Sequence, residues 1–373
     1  MDMAAVREAF PVTKRLAFMN HAAVAPIPAC TVDAMTQMLR DVAEGGDASS
    51  GTWNEKIRRT RELAAALIGA SAEEIAFVKN TTEGILFVAN GIDWREGDNV
   101  VLPDQEFPAN VYPWLNLKRR GVEARLVPMA DGRVPVEAIE ARVDDRTRCV
   151  AISFVQFASG FRADLKRIGE ICEQRGIYLC VDAIQGLGAF RLDVKECKIH
   201  FLSADGHKWL LSPEGTGIFY CDAAVLEQLA LPTMGWMSVV NRSDYLDYDT
   251  TLAPDASRFE CGSHNTVGII GLGATLEFLL GIGVDEIEER VILITDLLCA
   301  GVERQGYEVY SSRQPAEKSG IVCFSHGDHD SAALVRTLRE NDIIVSVRSG
   351  RVRVSPHFYN SEDEIEKLLT VLP

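Results

Sequence analysis

The stretch Ile177–Gln185, IYLCVDAIQ, decides the fold of this chain. Its apolar residues run without interruption from Ile177 to Val181 and stop at Asp182. A strand with one wet face alternates apolar and polar residues. A continuous run is buried on both faces, as in a parallel sheet covered by helices.

The same texture recurs on either side. EIAFVKN (Glu74–Asn80), DNVVLP (Asp98–Pro103), EARLVPM (Glu123–Met129), RCVAISFVQF (Arg148–Phe157), IHFLSAD (Ile199–Asp205) and TGIFYCD (Thr216–Asp222) read as further strands. Between them, TEGILFVANGI (82–92), NVYPWLNLKRRG (110–121), PVEAIEARV (135–143) and LKRIGEICEQRG (165–176) read as helices. After Arg258 the texture changes. Two long helical stretches, 267–282 and 284–306, precede short strands at 307–311, 320–325, 343–349 and 351–355, with helices at 331–341 and 361–372. We expect a large α/β domain over 18–257 with a mainly parallel sheet covered by helices. A smaller α+β domain follows over 258–373, with residues 1–17 packing near it.

A chain of 373 residues is long enough for two cores. Its formal charge of −16 argues against nucleic acid and anionic membranes as partners, because phosphates call for basic patches. Nine irregularly spaced cysteines, several inside apolar runs, fit reduced thiols in the cytoplasm better than a disulfide framework. No CxxC pair supports a zinc site. Residues 1–18 lack the apolar core of a signal peptide, and no apolar run is long enough to span a membrane.

In a doubly covered sheet, sites collect at the carboxyl ends of the strands. Four polar features fall there or in the small domain. NTTEGI (Asn80–Ile85) puts Thr81 and Thr82 at a helix start, where free N–H groups and hydroxyls suit a phosphate; read alone, it is better explained as an ordinary N-cap. Asp182 closes an apolar strand, a costly place for a carboxylate without a cationic or donor partner. It suits a protonated heterocyclic nitrogen, with Gln185 reaching another ring substituent. Lys208, in ADGHKW (Ala204–Trp209), ends the next strand. There a partly dehydrated amine becomes a nucleophile able to form a Schiff base. Arg353, in RVRVSPHFYN (Arg351–Asn360), shares a strand face with Arg351 and Ser355 and suits bidentate capture of a carboxylate; the plainer reading is an exposed arginine on an edge strand. Each feature is weak alone. Together they meet the needs of pyridoxal phosphate.

On these motifs the chain resembles the class V aminotransferase family of fold-type I pyridoxal-phosphate enzymes, which includes cysteine desulfurases and isopenicillin-N-epimerase-like proteins. The resemblance runs over nearly the whole chain in the family's order. It implies a Schiff-base lysine at Lys208, a ring-nitrogen carboxylate at Asp182, and a ring-stacking aromatic at Phe107 in QEFPANVYPW (105–114). It implies phosphate and ring contacts from Thr81, Thr82, Gln185, Asp205, His207 and Ser263, the last reaching across a homodimer. Substrate contacts would come from Asn20, His21 and Ala22 in MNHAAVAPIP, from Gln156, and from Arg348 and Arg353.

Four departures bear on the reaction. Desulfurases carry a mobile cysteine-bearing loop between the VRSG-like strand and the carboxylate arginine. Here VSVRSG (345–350) runs almost directly into Arg351–Arg353, and Cys323 lies in an apolar strand. Phe107 replaces the histidine usual in desulfurases. Asp205 replaces a phosphate-binding serine, and SFVQFASG (153–160) replaces SHVSNxxG. The expected activity is chemistry at Cα of a small amino acid: transamination, epimerisation or elimination, with C–S cleavage included. A desulfurase lacking its loop cysteine and a catalytically inactive binding protein are the competing readings. A metal site at HGDHD (His326–Asp330) has little support, because Gly327 breaks any helix that would align its ligands.

Overall fold

The computed structural model describes residues 1–373. Its strands, in chain order, are β1 (Ala17–Phe18), β2 (Ile75–Val78), β3 (Asn99–Pro103), β4 (Glu123–Val127), β5 (Thr147–Ser153), β6 (Tyr178–Asp182), β7 (Phe201–Asp205), β8 (Gly217–Cys221), β9 (Glu308–Val309), β10 (Val322–Ser325), β11 (Ile343–Ile344), β12 (Ser346–Arg348) and β13 (Arg351–Val354). Seven form the main sheet, in the order β2-β8-β7-β6-β5-β3-β4. All its pairs are parallel except those of β8, which runs antiparallel to both β7 and β2.

The continuous apolar runs sort by a period of two. Val101, Val150, Ile152, Leu179 and Val181 join one core with the helices Ser50–Ile68, Leu165–Arg175 and Thr266–Ile282. Val100, Leu102, Cys149, Ala151 and Cys180 join a second core with the helix Thr81–Gly91. Both faces are therefore dry, which is why polar residues are missing from the strand middles.

A four-stranded antiparallel sheet, β12-β13-β10-β9, forms a third core with the helices Val284–Arg304, Ser331–Glu340 and Glu362–Val371. β1 pairs in parallel with β11, and Arg7 bonds to the Tyr359 carbonyl and to Glu364, so the N-terminus lies against this part of the molecule. The helix Thr266–Ile282 follows residue 258 in sequence but packs on Ala29–Gly45 and Ser50–Ile68, two helices to which the sequence reading assigned no element. The expected helix at 110–121 is instead a short α-helix, Tyr112–Leu115, between 3-10 turns at Pro108–Asn110 and Asn116–Arg120. Pro113 removes an N–H from the helix ladder there. No single helix is long and apolar enough to cross a membrane.

Candidate functional site

The site is built on the carboxyl ends of β5, β6 and β7, beside the amino end of the helix Thr81–Gly91. β6 and β7 are register partners at Asp182 and Ser203, so Asp182 and the segment after Asp205 emerge side by side. Residues 201, 203 and 205 of β7 share one face. Ser203 on that face abuts Gly84 of the helix, which brings Asp205 under the helix start. The Asp205 N–H donates to Thr81 Oγ1 at 3.0 Å. Asn80 caps the helix by accepting from the Glu83 N–H at 2.9 Å.

Lys208 is 8 % exposed. Burial pulls its amine down to about 8, against the attraction of Asp182 and with added repulsion from Arg353 and Arg348. Its Nζ stands 5.3 Å from the Phe107 ring centroid. Asp182 is also buried, which raises its carboxyl to about 6, while the Ile184 N–H and Lys208 favour the anion. A desolvated amine and a desolvated carboxylate thus lie within electrostatic reach of each other, and the lowered lysine is perturbed in the direction a nucleophile or base uses.

The plainer reading of Arg353 is overturned. β13 is an inner strand, and Arg353 is 1 % exposed. Its Nη1 donates to the Phe157 carbonyl at 3.0 Å and its Nε to Ser346 Oγ at 3.2 Å, while Nη2 is buried without a partner. Burial and Arg348 lower it to about 10. Arg348 Nε is likewise unpartnered. Two cationic donors without an acidic partner suit an anionic ligand such as a carboxylate.

Two expected contacts change character. His21 is fully buried, its Nδ1 bonded to the Ser355 carbonyl at 2.9 Å and its Nε2 to the Tyr359 hydroxyl at 2.7 Å, so neither ring nitrogen is left for a substrate. The aromatic cluster of Trp209, His357 and Tyr359 holds it there. Gln185 does not reach outward. Its amide donates to the Ala22 carbonyl at 3.1 Å and accepts from Trp209 Nε1 at 3.0 Å, so it ties the N-terminal segment to the lysine segment. Asn20 bridges to Ser355 and keeps a buried, unpartnered Oδ1. Gln156 is 1 % exposed with an unpartnered Oε1.

Asp205 is buried, with Oδ1 unpartnered and Oδ2 at 3.0 Å from His207 Nδ1. Thr82 lies at the helix rim, and Ser263 is exposed, lining a cavity of about 210 Å³ with Lys79, Glu83 and Cys261. The rings of His326 and His329 lie 4.7 Å apart, tilted by 35°, near Tyr307 in a turn closed by the Asp328 N–H.

One carboxylate escaped the sequence reading. Glu106, beside Phe107, is 5 % exposed and accepts from the Ser153 N–H at 2.6 Å, the Ser153 hydroxyl, and Gln156 Nε2 at 2.8 Å. A glutamate in a polar loop carries no sign of burial in sequence. The only clue was its place in a segment already singled out.

The donor set fits pyridoxal phosphate. An anion can rest on the free helix start, Asp182 can pair with a protonated ring nitrogen, and Lys208 offers a dry amine for the aldehyde.

Residues 17–368 match the family described as Aminotransferase class-V. A protein named probable cysteine desulfurase from Methanothermobacter thermautotrophicus is 33 % identical, with 97 % of this chain and 95 % of that protein covered. A cysteine desulfurase from Salmonella agona is 32 % identical over 98 % of this chain and 96 % of its own length. Among solved structures, an apo cysteine desulfurase from Thermococcus onnurineus NA1 superposes with a TM-score of 0.91 at 26 % identity, covering 99 % of this chain and 96 % of that one. A mutant of C-DES with glycine covalently linked to its PLP cofactor shares the fold, with a TM-score of 0.91 at 23 % identity and 98 % of both chains covered. The chain therefore belongs to the class V aminotransferase family and is a pyridoxal-phosphate enzyme acting at the Cα of an amino acid.

Proposed function

We propose that this enzyme eliminates a sulfur group from Cβ of a small amino acid such as cysteine or cystine, releasing the sulfur to solution instead of onto a protein thiol. One observation carries this reading. β12 and β13 are joined by only Ser349 and Gly350, at φ 50° and 76°, a tight hairpin with no room for a cysteine-bearing loop. Cys323, opposite Arg353 on β10, is fully buried, and burial raises its thiol to about 11. It is no nucleophile at neutral pH. The C–S cleavage itself is suggested by the relatives named cysteine desulfurase.

Bound pyridoxal phosphate supplies an electron sink for the pair left when the Cα–H bond breaks. Arg353 Nη2 receives the substrate carboxylate, assisted by Arg348. Lys208 Nζ takes the Cα proton, and its lowered basicity leaves a usable fraction uncharged near neutral pH. Asp182 would hold the proton of the ring nitrogen. Phe107 would stack on the ring, and its side chain cannot move a proton. A phenyl ring at position 107 offers no second base for a two-base epimerisation. With one base, the Cα–H and Cβ–S bonds break, a Cα=Cβ bond forms, and the sulfur leaves with the electron pair. Hydrolysis then gives a keto acid and ammonia.

We further propose a cytoplasmic homodimer. Nine free cysteines suit a reducing compartment. Trp236, Tyr245, Leu246 and Tyr248 are exposed apolar side chains near Ser263 in sequence, and they suit a surface covered by a second copy.

The purified holoenzyme, given cysteine or cystine, is expected to release pyruvate, ammonia and a sulfide or persulfide in step. A keto acid formed with conversion of the cofactor to its pyridoxamine form would instead mark a transaminase. A protein thiol gaining 32 Da by mass spectrometry, about one sulfur atom, would mark a desulfurase.

A further inference from the structure

Glu106 is the buried titratable group that the proposed chemistry leaves unused. Its two oxygens take three hydrogen bonds, from the Ser153 N–H, the Ser153 hydroxyl and Gln156 Nε2. Burial raises the Glu106 carboxyl to about 7, but its Oε1 already accepts the Ser153 N–H, and the Gln156 amide meets that same oxygen with its NH₂ end. The other end, Oε1, then points away from Glu106, and it is buried with no partner. The surroundings of Gln156 are those of the site. The next carbonyl, of Phe157, receives Arg353 Nη1, and the Phe157 ring meets the Phe107 ring edge-on at 5.3 Å. Ser153 is the register partner of Asp182. A buried acceptor without a partner beside Arg353 and Asp182 is suited to a donor on a ligand. A buried acceptor left empty costs about 1–3 kcal/mol, and a bound donor removes that cost.

We propose that Glu106 is a positioning residue: it locks the Gln156 amide so that Oε1 faces the bound ligand and accepts a hydrogen bond from it. The ligand's contribution is an N–H or O–H donor. Two sources supply one here, the ring hydroxyl of the cofactor and the amino group of the substrate. The proposal holds whichever bond the enzyme breaks, because it concerns the ligand before reaction.

The test is a double-mutant cycle of Glu106→Ala and Gln156→Ala, with Glu106→Gln as the conservative variant. Apoprotein is titrated with pyridoxal phosphate for a dissociation constant, and the KM for the amino acid is measured on the saturated enzyme. Each single variant is expected to weaken one of the two by about tenfold, the value for one lost hydrogen bond. A change in cofactor dissociation constant assigns the donor to the ring hydroxyl, and a change in KM alone assigns it to the amine. The double variant should be no worse than either single one, because both remove the same contact. Glu106→Gln, which keeps an acceptor for Gln156 Nε2, should recover most of the loss. Additive effects, or a Gln156→Ala enzyme with wild-type dissociation constant and KM, overturn the proposal. If Glu106→Ala fails to fold, Gln156→Ala and Glu106→Gln still decide it by the same two constants.

Discussion

Lys208 shows most clearly what burial does to a single residue. Its amine is held at about 8, whereas an unfolded lysine titrates near 10.4. Below about pH 8 the folded chain must carry a charge it holds poorly, so protonation favours unfolding there. The penalty is full below the folded value and fades as pH rises toward the unfolded one. At 1.36 kcal/mol per unit it amounts to at most about 3 kcal/mol, less whatever Asp182 loses with its counter-charge. Lys208→Met is therefore expected to stabilise the apoprotein at pH 7 while abolishing activity, with the gain shrinking toward pH 10. Urea unfolding at several pH values checks this, and equal stability at pH 7 would mean that the amine is well hydrated. Lys208, Asp182 and Arg353 were legible in the sequence because each is a polar residue in an apolar strand or directly at its end. Glu106 was not, because its burial comes from a loop folding over it. For His21 the sequence left a packed role and a substrate contact equally open, because its two partners, Ser355 and Tyr359, lie more than three hundred residues away in sequence.

Among the elements, the helix Thr81–Gly91 and strand β7 frame the proposed phosphate site between them. A glycine inside a helix is unfavourable by up to about 1 kcal/mol, so Gly84 needs a reason. A Cβ there would stand 2.8 Å from Ser203 Cβ and 3.0 Å from Phe219 Cδ2. The helix lies that close to β7, and the closeness is what lets Asp205 N–H reach Thr81 Oγ1. Gly84→Ala should push the helix off the sheet, destabilise the fold by about 1–3 kcal/mol and weaken cofactor binding. Thermal melts and cofactor titration measure both, and a variant with wild-type values in each would mean that the approach is not required. The same pair of elements shows a limit of sequence. β8 reads as apolar throughout, like its parallel neighbours, yet it runs antiparallel. Burial on both faces erases the alternation that would separate the two directions. The link from β7 to β8, residues 206–216, contains no crossover helix, so the chain turns back alongside β7, and Gly217 lets the backbones meet.

Across the whole molecule, the N-terminal segment fastens the two sheets around the site. Met19, His21 and Ala22 bond to Ser355 after β13, while Ala25 N–H reaches the His207 carbonyl at 2.8 Å. The proposed second copy would add Ser263. Ser263→Ala is expected to weaken cofactor binding about tenfold in the assembled dimer, as for one hydrogen bond to a charged group, and to have no effect on a dissociated protomer. Cofactor titration across a dilution series that splits the dimer tests this. An effect that persists in the monomer would place Ser263 in its own subunit's site. By itself the sequence determined the layers of the main sheet, the strand ends that carry polar residues and the family, because these follow from local periodicity and from motifs in a set order. Only the tertiary structure decided the direction of β8, the attachment of Thr266–Ile282 to the large core, and the buried partners of Glu106, His21 and Gln185. The reason is physical: direction, docking and pairing are settled by contacts between segments far apart in the chain, and such contacts leave no periodic trace in either segment alone.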